Sequence, residues 1–176
     1  MKEIEVKVVV KDFKVIKKKL KELGAKKKCP KTFEKNVLFG HKKLRFKQDW
    51  ILRLRKFGKK NLLTLKTNAK GKKGFKVREE INILIEDFEK MKKIFTKLGF
   101  FEVFYYEKYR EDYIYNGLNI SLDKTPIGNY VELEGDYKNI LDFLKKINVK
   151  IEETISISYL QLFRIFNKKS NKMAFT

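Results

Sequence analysis

The chain has 176 residues, 43% of them hydrophobic, which suits one folded domain with a substantial core. Its 43 basic and 22 acidic residues give a formal net charge of +21, which favours polyanionic partners such as polyphosphates, nucleotides or nucleic acid. With one cysteine and one histidine, an internal disulfide and a zinc site built from several Cys and His ligands are excluded. No apolar run approaches about 18 residues and no signal-peptide core opens the chain, so we predict a cytoplasmic protein without a membrane span.

The apolar spacing predicts short strands joined by glycine-containing turns, with helices between groups of strands. In chain order the predicted elements are strand 2–10, helix 12–23, strands 33–39, 50–57, 61–67 and 75–85, helix 87–98, strands 104–115, 118–123 and 129–135, and helices 137–147 and 157–166. This order indicates an α+β fold with an antiparallel sheet. Residues 1–167 are expected to form a single domain, and 168–176 a polar, flexible tail.

Seven of the predicted strands have one apolar and one charged face. Glu3, Glu5 and Lys7 share a face of the first strand, because side chains two positions apart point the same way. The charged faces of later strands contribute Arg53, Arg55, Lys66, Arg78, Glu80, Lys108, Arg110, Asp123, Glu132 and Glu134. Helices with apolar faces must cover the apolar sides, so we expect the charged faces to lie together on one side of the sheet.

The pairing of like charges on these faces indicates a ligand that needs both signs. Glu3/Glu5 and Glu132/Glu134 are E-x-E pairs, and paired carboxylates repel each other unless a cation lies near them. A hard divalent ion with oxygen ligands is the obvious candidate. The chain has only six arginines against 37 lysines, and its R-x-R pair suits bidentate binding of phosphate. Magnesium is commonly held by one or two carboxylates together with substrate phosphates, so the two features predict one site.

The motifs together resemble the CYTH family, the class IV adenylyl cyclase and thiamine triphosphatase-like triphosphate tunnel metalloenzymes. The resemblance rests on E-x-E-x-K at Glu3–Lys7, followed in order by LRLRK, LTLK, VREE, EKYRE and LDKTPIGNYVELEG, and it runs from Lys2 to about residue 166. The SY-x-x-L ending at Ser158 and the segment containing Asp49 resemble the cyclase-like branch. The resemblance implies a closed antiparallel β-barrel that forms a tunnel, with helices packed outside.

The resemblance also implies roles for the charged residues. Contacts with the triphosphate are expected from Lys7, Arg53, Arg55, Lys66, Arg78, Lys108 and Arg110. Support of Mg²⁺ or Mn²⁺ is expected from Glu3, Glu5, Glu132 and Glu134, with Glu80 and Asp123 as further acidic candidates. Lys66 and Glu5 are the predicted catalytic residues. Asn82 stands where the family often has a second glutamate, which puts a metal contact from that position in doubt.

The sequence leaves two reactions open, because both need the same tunnel. Attack by water would hydrolyse a nucleoside, organic or inorganic triphosphate, whereas attack by a ribose 3′-hydroxyl on ATP would give cyclic AMP and pyrophosphate. A basic nucleic-acid-binding module without catalysis is the alternative of a different class; the net charge favours it, but the E-x-E pairs beside the arginines disfavour it. Membrane binding is not expected, and the oligomeric state, a homodimer included, is left open.

Overall fold

The computed structural model describes residues 3–43, 50–72 and 75–176; within these ranges, the side chains of Glu3, 68–72 and 75–78 lie outside the description. The strands are β1 Glu3–Val10, β2 Lys26–His41, β3 Ile51–Phe57, β4 Lys60–Lys72, β5 Phe75–Ile85, β6 Phe100–Tyr115, β7 Leu118–Thr125, β8 Gly128–Glu134 and β9 Lys172–Met173. The α-helices are α1 Lys14–Glu22, α2 Phe88–Lys97, α3 Tyr137–Lys146 and α4 Tyr159–Phe166, and a 3-10 turn covers Ile151–Glu153.

The nine strands form one sheet in the order β2-β3-β4-β5-β1-β8-β7-β6-β9. Strands β1 to β8 pair antiparallel, and the short β9 lies parallel to β6. Strand β2 also pairs with β6 along most of its length, from Lys26 to His41. These pairings and the four helices confirm the predicted α+β class and the antiparallel sheet.

Three apolar clusters place the helices against the sheet. Helices α1 and α3 pack on β1, β7 and β8 through buried residues such as Leu20 and Phe143. Helix α2 packs on β2 and β3, where Phe88 and Phe95 meet Leu54. Helix α4 packs on Phe104, Tyr106 and Tyr130 from β6 and β8. Burial of these apolar faces leaves the opposite, charged faces of the strands to line the interior.

Local signals account for where the helices begin. Asp87 is the N-cap of α2, and its side chain accepts a hydrogen bond from the Lys90 amide at 2.9 Å. Ser158 caps α4 in a capping box with Gln161. Asp12 also accepts a hydrogen bond from a backbone amide, that of Lys14 at 2.7 Å, although α1 begins at Lys14, two residues after the start of the predicted helix 12–23.

Strand β2 is longer than the sequence predicts. Its lysine-rich first half, which includes Cys29 and Pro30, precedes the predicted strand 33–39, and it pairs with β6 through an irregular register between Cys29 and Thr32. Proline is tolerated in strands at such irregularities because its missing N–H interrupts no regular ladder there.

The tail 168–176 contacts β6. Met173 is 1% exposed in the cluster below α4, and the Phe175 ring lies 5.3 Å from that of Tyr109. The Phe175 amide donates to the Glu107 carboxylate at 3.1 Å. The end of the tail therefore packs against β6 in the structure.

Candidate active site

The inward faces of the strands surround a cavity of about 400 Å³. Its basic lining residues are Lys7, Lys28, Arg53, Arg55, Lys66, Lys108 and Arg110. Its acidic lining residues are Glu5, Glu80, Glu132 and Glu134. These eleven residues come from seven strands, and the alternation of side chains along each strand is what brings both signs of charge into one space.

Strands β3, β4 and β5 form one wall of the cavity. Lys66 and Glu80 face each other across the β4–β5 register and form an ion pair. Arg53 lies 3.8 Å from the same carboxylate. Burial alone would raise the pKa of Glu80, but Lys66 and Arg53 outweigh it and lower that pKa to about 2. Asn82 donates to Glu80 at 2.9 Å, so this side chain orients the carboxylate.

Strands β6 and β7 form the opposite wall around Asp123, which is fully buried. Its carboxylate accepts hydrogen bonds from Lys108 at 2.9 Å, from Arg110 at 2.6 and 2.7 Å, and from the Tyr159 hydroxyl at 2.7 Å. Burial disfavours the charged form of Arg110, but Asp123 and Glu132 reverse that effect and raise its pKa well above the usual value. Asp123 therefore holds two cations and the first residue of α4 in place.

Strands β1 and β8 contribute a group of carboxylates around Lys7. Lys7 forms an ion pair with Glu5 and lies 3.5 Å from Glu132, which also accepts a hydrogen bond from Arg110 at 2.7 Å. Glu134 is the backbone partner of Glu5 across the β1–β8 register. Burial, followed by the charges of Glu132 and Glu5, raises the pKa of Glu134. A raised carboxyl pKa marks a position that would gain from a nearby cation.

The donor chemistry of Glu5, Glu132 and Glu134 fits a hard divalent ion, because all three are carboxylates beside a cavity large enough for a phosphate chain. In the part of the chain with described side chains, no three His, Cys, Asp or Glu groups converge closely enough to hold an ion. Glu5 and Glu132 are instead drawn to Lys7 and Arg110. The assignment of a metal to these residues stays a prediction.

Most of the residues singled out from the sequence meet in this cavity. Lys7, Arg53, Arg55, Lys66, Lys108, Arg110, Glu5, Glu80, Glu132 and Glu134 line it, and Asp123 lies directly behind Lys108 and Arg110. The backbones of Glu3 and Arg78 face each other across β1 and β5, but their side chains lie outside the described part of the structure. The segment containing Asp49 lies outside it as well.

Sequence reasoning missed two groups of site residues. Glu34 and Asn36 on β2 are fully buried beside Arg55 and Lys108. They alternate in phase with the other inward positions, which is the signal that could have found them. Tyr159 lies 5.3 Å from the Lys7 ammonium and 5.0 Å from that of Lys108, measured to the ring centre. Tyr159 belongs to the SY-x-x-L ending noted in the sequence, but its contact with the two cavity cations follows from the tertiary placement of α4.

Apolar residues occupy part of the lining. Leu38, Ile51 and Leu160 line the cavity together with Tyr106, Ser156 and Ser158. The segment that carries Leu160 is fixed to β1 by two backbone hydrogen bonds between Lys7 and Ile155, of 2.8 and 2.7 Å. None of the helices in the described ranges is both long and apolar enough to cross a membrane.

Comparison with known proteins identifies the group to which this chain is related. The profile of the CYTH domain matches residues 1–162, which include every strand that lines the cavity. The chain belongs to the CYTH family. A relative from Methanocaldococcus jannaschii, named "Putative adenylate cyclase", is 35% identical over 172 residues, which cover 91% of this chain and 97% of the relative.

Solved structures of other proteins share the fold. The PH1012 protein of Pyrococcus horikoshii is 27% identical, with a TM-score of 0.75, over 91% of this chain and 98% of that protein. A Hippeastrum protein, described as a putative adenylyl cyclase with a dominant triphosphatase activity, is 19% identical, with a TM-score of 0.63, over 94% and 96% of the two chains. At 19% identity, the similarity to the Hippeastrum protein shows only that the two proteins share a fold.

Proposed function

We propose that this CYTH protein is a metal-dependent enzyme that acts on the triphosphate of ATP or of another organic or inorganic triphosphate. The observation that supports this proposal most strongly is the lining of one cavity by six basic residues predicted from the sequence and by the Glu5, Glu132 and Glu134 carboxylates. A basic lining alone would suit any polyanion. Carboxylates among those cations suit a polyphosphate that arrives with a divalent ion.

We also propose that strands β1 to β8 act as a closed barrel whose interior is the substrate tunnel. The pairing of β2 with both β3 and β6 supports closure, because it leaves each of these eight strands with a partner on either side. A closed interior would exclude bulk water and strengthen the interactions between the lysine and arginine side chains and the phosphates.

In the proposed mechanism, the protein contributes mainly binding and orientation. Arg53, Arg55 and Lys66 on one wall, and Lys108 and Arg110 on the other, would bind the phosphate oxygens and stabilise the charge that develops during transfer. Glu5, Glu132 and Glu134 would hold Mg²⁺ or Mn²⁺, which when bound supplies further neutralisation of the phosphate charge. Tyr159, hydrogen-bonded to Asp123, would keep Lys108 and Arg110 directed into the cavity.

Two reactions fit this arrangement. The name of the 35%-identical relative favours formation of cyclic AMP and pyrophosphate from ATP. Hydrolysis of a triphosphate is the second candidate, because the cavity already contains the groups needed to bind the phosphates, and because a protein of the same fold is described as having a dominant triphosphatase activity.

Product analysis separates the two reactions. Purified protein is incubated with ATP, inorganic triphosphate and thiamine triphosphate, with Mg²⁺, with Mn²⁺ or with EDTA, and the products are resolved by anion-exchange chromatography. Cyclic AMP with pyrophosphate identifies a cyclase, and orthophosphate identifies a triphosphatase. Absence of turnover in every metal-containing reaction, combined with tight and salt-sensitive RNA binding, would contradict the proposal and favour the nucleic-acid-binding alternative.

A further inference from the structure

Glu34 and Asn36 form a buried polar pair behind the cavity rather than in its lining. Both side chains are fully buried, and Asn36 donates a hydrogen bond from Nδ2 to Glu34 Oε1 at 2.8 Å. The same carboxylate oxygen lies 3.5 Å from Arg55 Nε and 3.6 Å from Lys108 Nζ. Glu34 therefore faces two lining cations, one from β3 and one from β6.

These two contacts are ion pairs longer than ordinary hydrogen bonds. Glu34 attracts Arg55 and Lys108 without taking up all their donors, which leaves donors that can reach a ligand in the cavity. Burial would raise the pKa of Glu34, but Arg55 and Lys108, followed by Arg110 and Arg53, lower it well below the usual range. The group is therefore a carboxylate at neutral pH.

The charge of Glu34 matters because the cavity is nearly balanced. Among the described residues, the lining contains seven cations and four carboxylates, a surplus of three positive charges. Glu34 and Asp123, buried directly behind it, reduce that surplus to one. Removal of either would leave a more positive cavity in a poorly solvated interior, where a charge acts strongly on a ligand.

We infer that Glu34, oriented by Asn36, is a positioning residue that holds Arg55 and Lys108 in place and limits the affinity of the cavity for polyphosphates. This inference rests on the proposed function. The carboxylate partly neutralises the two cations when the cavity holds no substrate, and it weakens the hold on the anionic product. A residue that only stabilised the fold would not limit the affinity of the cavity for polyphosphates.

Glu34→Gln tests the inference, because it keeps the shape and the oxygen that accepts from Asn36 but removes the charge. Binding of inorganic triphosphate is measured by calorimetry in EDTA, at one ionic strength. We expect the variant to bind at least about tenfold more tightly than the wild type, since the charge acts across a buried site. Pyrophosphate is expected to inhibit the variant more strongly in the metal-containing reaction. Damage to the fold would instead weaken both the binding of triphosphate and the inhibition by pyrophosphate.

Two further variants serve as controls. Glu34→Asp keeps the charge and is expected to bind with wild-type affinity. Glu111→Gln removes a carboxylate that also pairs with two lysines, Lys17 and Lys27, but on the outer side of β6. It is expected to leave triphosphate affinity unchanged. If Glu111→Gln increased the affinity for triphosphate as much as Glu34→Gln does, the inference would be overturned, because the effect would then reflect net charge alone.

The outcomes distinguish this inference from the proposed function. If the wild type binds triphosphate and Glu34→Gln binds with equal or lower affinity, the inference is wrong while the proposed function stands. If the wild type binds triphosphate neither in EDTA nor in the presence of Mg²⁺, both are wrong. Should Glu34→Gln unfold without ligand, triphosphate is expected to restore its circular dichroism spectrum by supplying the missing negative charge, and failure to restore it would contradict the inference.

Discussion

The charged residues of the cavity are held by one another before any ligand binds. Asp123 accepts hydrogen bonds from three side chains, and Lys7 lies between Glu5 and Glu132. Burial of isolated charges is costly, and this mutual pairing offsets the cost only if all partners are present. Loss of one member is therefore expected to affect both stability and ligand binding.

Lys66 gives the most direct residue-scale test of the site. Lys66→Ala is expected to lower the turnover of triphosphate at least about 100-fold, because a positioned donor to a charged transition state is lost. Far-UV circular dichroism is expected to remain that of the wild type. Lys60→Ala, at an exposed position of the same strand, is the matched control and is expected to retain full activity. Equal turnover in Lys66→Ala and the wild type would contradict the site assignment.

The raised pKa of Glu134 predicts a pH-dependent effect on stability. Because its pKa is higher in the folded than in the unfolded state, the charged form costs stability, and the cost appears as pH rises above the usual carboxyl range. In EDTA, Glu134→Gln is therefore expected to melt at a higher temperature than the wild type at neutral pH. The difference is expected to vanish at pH values below that range, where both side chains are neutral.

A metal titration extends the Glu134 experiment. Mn²⁺ is expected to raise the melting temperature of the wild type more than that of Glu134→Gln, since a bound cation relieves the repulsion among Glu5, Glu132 and Glu134. A lower melting temperature of Glu134→Gln than of the wild type at neutral pH in EDTA would argue against this account of the carboxylate group.

At the scale of elements, the sequence predicted the strands best where one face is apolar and the other charged. Arg53 and Arg55 alternate with Leu52 and Leu54, and that pattern placed both arginines on the charged face of the sheet, which in the structure lines the cavity. In β2 the pattern is weaker, because Lys35 is charged on the outer face, where its ammonium pairs with Glu89 of α2. Glu34 and Asn36 still alternate in phase with the inward positions, but the charged Lys35 between them removes the apolar face that identified the other strands.

The C-terminal strand β9 is the element whose contribution is easiest to measure. Met173→Ala is expected to lower the free energy of unfolding by about 2 to 5 kcal/mol, because it removes a fully buried side chain from the cluster around Phe104 and Phe163. Lys172→Ala, at the exposed neighbouring position, is expected to change it by less than about 0.5 kcal/mol. Denaturant unfolding measures both, and equal stabilities would show that the tail does not pack.

At the scale of the whole molecule, the net charge of +21 is distributed unevenly. Among the described residues, the cavity with its two buried carboxylates carries a surplus of one, so most of the excess lysines lie elsewhere. Helix α1 is an example, because Lys14, Lys17, Lys18 and Lys21 are all exposed on it. A positive outer surface is expected to attract anionic substrates from a distance.

Salt therefore provides a test at this scale. Raising the ionic strength from about 0.05 to 0.5 M is expected to lower kcat/KM for a triphosphate more than kcat, because screening slows encounter while contacts inside the cavity are less affected. Steady-state kinetics in NaCl, at fixed free Mg²⁺, measure the two constants separately. A proportional fall in kcat would indicate that salt acts on the bound state instead.

Trp50, the chain's single tryptophan, directly precedes Ile51, a residue of the cavity lining. This neighbourhood gives the protein an intrinsic optical reporter: the indole emission is expected to change when a polyanion enters, without any attached dye. Stopped-flow fluorescence could then follow entry and release of a ligand in real time. Since the eight tyrosines are spread along the chain, excitation near 295 nm would select the signal from this one position.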